Sequence, residues 1–130
     1  MELNGNLLTD EFYKFNHQYT IVNLTDNDYN KIITNEKCIK MQFPYGINGM
    51  MSGIYKYNID SVFNVKKLIN IIKEFYNSKL TNIEKEKIAN EAEIYIDDLK
   101  IKKDILTLTN QCFVEELEYK NGVFILRCGS

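Results

Sequence analysis

The chain has 130 residues, 45% of them hydrophobic and 26% charged, with a formal net charge of −2. That is the size and balance of one globular domain, which excludes a disordered or low-complexity chain and removes any need for a metal or disulfides to fold. The negative balance excludes a general attraction to nucleic acid or to an anionic membrane, and no apolar run approaches the ~20 residues that a membrane-spanning helix requires.

In chain order, residues 9–16 ("TDEFYKFN") offer Thr9 as an N-cap ahead of a short amphipathic turn or helix. Residues 18–24 are rich in β-branched and aromatic side chains and predict a strand. Residues 25–35 open with a capping threonine and acids, then place Tyr29, Ile32 and Ile33 on one side of a short helix. Strands follow over 37–43, where Pro44 stops the alternation, and over 53–59. The strongest periodicity lies in 61–78, with apolar residues at 62, 65, 68, 69, 72, 75 and 76, the spacing of a helix buried along one stripe. Asp60 or Ser61 would cap it. A second long helix, about 82–98, opens with Thr81 and Glu84 in a capping box and continues as the stripe Ile88, Ala92, Tyr95, Ile96 and Leu99, although "EIYI" can also end it early in a strand. The C-terminal part predicts a hairpin of 112–119 with 123–128, turning at Asn121-Gly122, a dipeptide suited to a type I′ turn. Residues 105–109 supply a third strand. Hairpins outnumber crossovers, so the expected architecture is α+β, a single domain over 1–130 with a mostly antiparallel sheet and the two long helices on one face.

Residue usage says more about the gene than the fold. The chain has sixteen asparagines, seventeen isoleucines and two alanines, and fifteen of its sixteen basic residues are lysine. All three enriched types have A/T-rich codons, as in an A/T-rich genome, a virus or an acquired cassette. Having Arg127 as the one arginine weakens any base-reading role, because arginine is the residue that grips phosphates and base edges bidentately. Cys38, Cys112 and Cys128 are odd in number and widely spaced, which suits free thiols in a reducing compartment. The start has neither a basic n-region nor an apolar h-region. Together these predict a cytoplasmic protein, in which the glycosylation triplet Asn23-Leu24-Thr25 goes unused.

The search for chemistry is largely negative. The glycine-rich stretch 43–53 ("FPYGINGMMSG") has no lysine and precedes a strand, so it is neither a P-loop nor a dinucleotide fingerprint. Two readings remain for it. One is a turn whose glycines supply positive φ. The other is an apolar contact loop presenting Tyr45, Ile47, Met50 and Met51 to a partner. His17 is the single histidine and no cysteine pair has zinc spacing, so no metal site or cofactor is expected. A magnesium held by carboxylates would need Asp97-Asp98, Asp104 and Glu115-Glu116 to converge. A cysteine or serine nucleophile would have to recruit His17 as base, and nothing around the cysteines forms a nucleophile motif. The two Asp/Glu-x-Lys matches, at 98–100 and 118–120, are what chance yields in a chain so rich in both charges.

Charge placement is more informative. On a helix over 82–98, Glu86, Asn90, Glu93 and Asp97 form one outward stripe, where like charges repel. Lysines of the preceding helix (Lys66, Lys67, Lys73 and Lys79) could balance it; otherwise it is an acidic surface for a basic partner. The sequence-level expectation is therefore a small binding protein, an inhibitor or immunity protein that neutralises a toxin or nuclease. It would contact a basic protein surface through Glu86, Glu93 and Asp97 and the 45–51 loop, with no nucleic-acid or membrane partner. The alternatives are a small metal-dependent enzyme such as a nuclease, and a viral or phage accessory protein directed at a host factor.

Overall fold

A computed structural model describes all 130 residues. The chain runs β1 (Glu2–Asn6), β2 (Glu11–Phe15), β3 (Ile21–Asn23), α1 (Asp26–Asn30), β4 (Ile32–Thr34), β5 (Cys38–Gln42) and β6 (Tyr55–Asn58). It continues with β7 (Phe63–Asn64), α2 (Val65–Asn77), α3 (Asn82–Ala92), α4 (Lys102–Thr109), β8 (Phe113–Lys120) and β9 (Val123–Gly129). One seven-stranded sheet takes the order β3-β2-β1-β8-β9-β5-β6, and β4 pairs separately with β7. Every pairing is antiparallel except that of β5 with β9, where Met41 lies opposite Phe124. The fold is α+β with a mostly antiparallel sheet, as the pattern of hairpins predicts.

Period-two alternation decides which way each strand faces, with one irregularity in β8 between Val114 and Glu116 that keeps Val114 and Leu117 on the same side. Leu3, Phe12, Ile39, Met41, Val114, Leu117, Phe124 and Leu126 are buried, while Glu2, Lys40, Glu116 and Arg127 on the same strands are exposed. The buried set joins the helices in a single cluster of 28 residues. Helix α2 supplies Val65, Leu68, Ile69, Ile71, Ile72, Phe75 and Tyr76 to it. These β-branched and aromatic residues cost a few tenths of a kcal/mol each in helix propensity. Burial returns about 1.5–3 kcal/mol for each large side chain, so packing and not propensity makes this helix.

Its start differs from expectation. Phe63 is drawn into the core as a strand residue opposite Thr34, so the helix begins later and Asn64 caps it, its side chain accepting from the Lys67 N–H at 2.9 Å.

Four further expectations are corrected. Residues 11–15 form β2, not a helix. Five residues make a marginal helix, whereas pairing with β1 lets Phe12 lie against Gly5, where an added Cβ would sit 2.7 Å from its ring. Residues 1–6, to which the periodicity assigned no element, form β1. Ile32 and Ile33 leave the short helix α1 and enter β4. Residues 105–109 belong to α4 and are not a strand: Lys102, Ile105, Leu106 and Thr109 have the i, i+3, i+4, i+7 spacing of one helical face, with the first three buried. A strand would have turned the neighbours Ile105 and Leu106 to opposite sides.

The predicted second long helix stops at Ala92. Its capping box is present, with Thr81 Oγ accepting from the Glu84 N–H and Glu84 from the Thr81 N–H, each at 3.1 Å. Glu93 is left-handed at φ 52°. The stop has a tertiary cause, because Leu80 N–H donates to Lys100 O and Lys79 bridges to Ile101. Residues 93–100 must therefore bring the chain back to the end of α2, which a continuing helix could not do. The last hairpin turns as expected, with Asn121 at φ 53° and Gly122 at φ 80°, the two positive values that type I′ demands. No helix is long and apolar enough to cross a membrane.

Candidate partner-binding site

The glycine-rich loop turns inward. Tyr45, Ile47 and Met50 are buried, Tyr45 at 1% exposure, and Met51 is half-buried. This corrects the expectation that they form an apolar contact surface. The cause is backbone pairing within the loop: Tyr45 N–H donates to Met50 O, Met50 N–H to Ile47 O and Ser52 N–H to Phe43 O. The loop closes as a tight hairpin, and its large side chains have only the core to enter. Gly46 and Gly49 both hold positive φ, 82° and 70°. They differ in surroundings, since a Cβ on Gly46 would meet Thr109 Oγ1 at 2.9 Å while one on Gly49 would meet nothing within 4 Å. Gly46→Ala is therefore expected to cost about 1–3 kcal/mol in urea unfolding, and Gly49→Ala distinctly less.

Beneath the loop lies a buried polar cluster. Tyr45 Oη donates to Glu84 Oε2 at 2.7 Å, and Lys102 Nζ lies 3.2 Å from Glu84 Oε1. Lys102 also donates to Ser78 Oγ and Lys79 O and stands 4.7 Å over the Phe75 ring. Burial works to raise the Glu84 carboxyl, but hydrogen bonds from Tyr45 and the Thr81 N–H, together with Lys102, outweigh it and hold the group below the ordinary glutamate range. Burial, then Glu84, pushes the Tyr45 phenol well up. No buried side-chain nitrogen or oxygen lacks a hydrogen-bond partner. With both acceptor oxygens and the ammonium engaged, the cluster has nothing left to offer a substrate, and its role is to tie the 43–52 loop to the ends of α2, α3 and α4.

What remains accessible is the C-terminal end of α3 and the segment after it. Glu86, Glu93 and Asp97 are all exposed, as are Glu91 and Asp98. Because the helix ends at Ala92, they form a patch of helix end and loop instead of the predicted helical stripe. Two features were missed. Tyr95 is 91% exposed and Ile83 80%. A helical pattern assigns Tyr95 to the core, but beyond the end of α3 the chain buries Ile96 and leaves Tyr95 exposed; its place between acids in "EIYIDD" is the one available signal. A shallow groove of about 370 Å³ includes Tyr95, with Glu86 and Asp97 as its acids, Lys85 as its one cation, and Ala89, Ile94 and Ile96 as its apolar lining.

Two features describe the electrostatics of this patch. The ion pairs of the protein are Lys14–Asp28, Lys102–Glu84, Lys103–Asp10 and Arg127–Glu118. None involves an acid of the patch, nor Lys66, Lys67, Lys73 or Lys79, so the lysines of α2 do not pair with it. Acids begin three of the four helices, Asp26 and Asp28 in α1, Glu84 in α3 and Asp104 in α4. Glu91 and Glu93 stand at the negative end of α3, where no basic residue lies in the last turn, as Glu74 does in the last turn of α2. Such placement costs about 0.3–1 kcal/mol per charge.

Comparison with protein-family models, with curated proteins and with solved structures returns no match. The residues alone therefore carry the functional argument. Catalytic constellations find little support among them. No three His, Cys, Asp or Glu side chains gather into a metal-binding group, and Asp104 is occupied in capping, accepting from the Lys100 and Ile101 N–H groups. His17 is exposed and Cys112 buried, while burial, followed by the Glu115 carboxylate, pushes the Cys128 thiol up to about 12, away from nucleophilic use.

Proposed function

We propose that this is a small binding protein that neutralises a partner protein, as an inhibitor or immunity protein does, by docking the end of α3 and the 93–98 segment against a basic surface. The observation that carries this reading is a nearly fully exposed tyrosine set among unpaired acids at the helix end where acids destabilise. Stability does not account for that arrangement. Binding does: tyrosine gives large contact area for little entropy and is enriched in interface hot spots. Surrounding acids speed encounter with a basic partner and reject acidic ones. The substrate groove of a nuclease is one such surface.

The test is a pull-down from lysate of the native source with neighbouring genes expressed, comparing wild type with Glu86→Lys/Glu93→Lys/Asp97→Lys. One stoichiometric partner is expected for the wild type. The triple variant should bind it at least about a hundredfold more weakly, since each central charge or anchor is worth about 1–2 kcal/mol. Its melting temperature should be equal or slightly higher, because the substitutions relieve repulsion and dipole conflict. Undiminished binding by the triple variant would remove the acidic patch from the interface. Capture of no partner would end the inhibitor reading itself.

A further inference from the structure

A second surface, sharing no residue with the acidic patch, carries its own geometry. A cleft of about 830 Å³ opens between β2, β3, α1 and α2, within the size range of ligand sites. One wall is an α2 stripe, Lys66, Asn70 and Lys73; the other carries Glu11 and Asp26. All four charged groups are without an ion pair, whereas Asp10, the third acid in the cleft, is held by Lys103 at 2.9 Å. The cleft thus holds two cations on α2 and two anions on β2 and α1, none of them in an ion pair. A ligand of one sign would meet two like charges, and only an occupant bearing both signs satisfies both walls.

The rim of the cleft is β3, through Ile21 and Asn23, and β3 is the free edge of the sheet. Sheet edges are normally shielded by short strands, lysine, proline or a bulge. The opposite edge, β6, carries exposed Lys56. β3 has only its three-residue length as a shield: it reads Ile-Val-Asn, pairs with β2 in unbroken register, and has Ile21 57% and its cross-strand neighbour Phe15 43% exposed. A free, uncharged edge beside a cleft is the geometry of β-strand addition, in which an extended peptide gains main-chain hydrogen bonds along the edge and specificity from side-chain pockets.

We propose that this cleft binds an extended peptide segment of mixed charge from another protein, paired in strand fashion with β3. Its acidic side chains meet Lys66 and Lys73, and its basic ones meet Glu11 and Asp26. The probe is a blocked synthetic heptapeptide, Lys-Val-Glu-Val-Lys-Val-Glu, titrated into the isotope-labelled full chain and followed by amide chemical shifts. Saturable shifts are expected at residues 21–23 and 66–73. An all-glutamate analogue and an analogue with alternate amides N-methylated should each bind at least about tenfold more weakly, the first for charge and the second for lost main-chain donors. Lys66→Gln/Lys73→Gln, at one exposed and one half-buried position without an ion pair, should keep the wild-type melting curve and weaken the peptide by a similar factor.

No saturable shift, equal binding of the N-methylated peptide, or an undiminished double variant would overturn the proposal. So would occupation of the cleft by a second copy, seen as a concentration-dependent dimer in sedimentation with the same amides shifted. A response to a short oligosaccharide in place of the peptide would overturn it as well.

Discussion

Replacing Glu84 by alanine is expected to lower the unfolding free energy by about 3–5 kcal/mol, the usual cost of removing one member of a buried ion pair. Both side chains are nearly inaccessible, at 4% for Lys102 and 7% for Glu84, so solvent cannot take over the lost contacts. The variant leaves a buried ammonium without its counter-charge and strips Tyr45 Oη and the Thr81 N–H of their acceptors. In thermal unfolding the loss should appear as a fall of more than about 10 °C. The double variant Glu84→Gln/Lys102→Met should lose much less, because the amide oxygen still accepts from the Thr81 N–H, the amide NH2 donates to a Tyr45 hydroxyl turned to accept, and no charge is stranded. If the double variant were as unstable as the single one, hydrogen-bond geometry rather than the stranded charge would be the cause.

The same pair sets a pH dependence. The folded-state pKa of Glu84 is depressed below its ordinary value of 4.5. Its stabilising contribution is therefore complete above 4.5 and is lost as the pH falls through the lower folded-state value. As the pH falls below 4.5 the wild type should lose more stability than Glu84→Gln/Lys102→Met, in denaturant titrations at each pH.

Phe43→Ala is the second large effect. Phe43 is 0% exposed, stacks on Phe75 with ring centroids 4.0 Å apart, and meets Tyr55 and Tyr76 edge-on. Removing a buried phenyl ring costs about 3–5 kcal/mol, and aromatic pairing adds about 0.5–1.5 kcal/mol beyond area. This loss comes from packing, so across the acidic range in which the Glu84 effect fades it should change far less than that effect does. Phe75 lies against Phe43 and also under the Lys102 ammonium. The two lesions share that neighbour, and a double-mutant cycle of Phe43→Ala with Glu84→Ala should depart from additivity by at least about 0.5 kcal/mol.

The sequence was most legible where one local rule acted alone. The stripe of α2, the Thr81–Glu84 box and the Asn121-Gly122 turn each rest on spacing within a few residues, and each is present. Legibility failed where a distant partner decided. Residues 11–15 look amphipathic in isolation and become a strand because β1 pairs with them. Ile105 and Leu106, set in a β-branched context, become helical because both must be buried on one side. Glu84 was readable as a cap; its burial was not, since Lys102 and Tyr45 come from other elements. The site shows the same division. The acids at 86, 93 and 97 are exposed as expected, but the turn of the chain at Glu93 that brings Tyr95 out depends on residues 100–101 returning to the end of α2. Tyr45, Ile47, Met50 and Met51 misled because loops with large apolar residues are often contact surfaces, and here backbone pairing within the loop folds them under.

The strand order has a consequence for how the protein is made. β1 lies in the middle of the sheet, flanked by β2 and by β8 from the far end of the chain, and β5 reaches the rest of the sheet only through β9. During synthesis the β1–β2–β3 and β5–β6 hairpins therefore emerge as two separate pieces with no strand between them. The β8–β9 hairpin is the keystone, made last, and until it arrives β1 and β5 both offer bare pairing edges. Such late, long-range closure slows folding and lengthens exposure to misassembly. Ribosome-stalled chains ending before residue 112 should consequently be held by chaperones or degraded, and only release of the last strands should yield a protease-resistant domain.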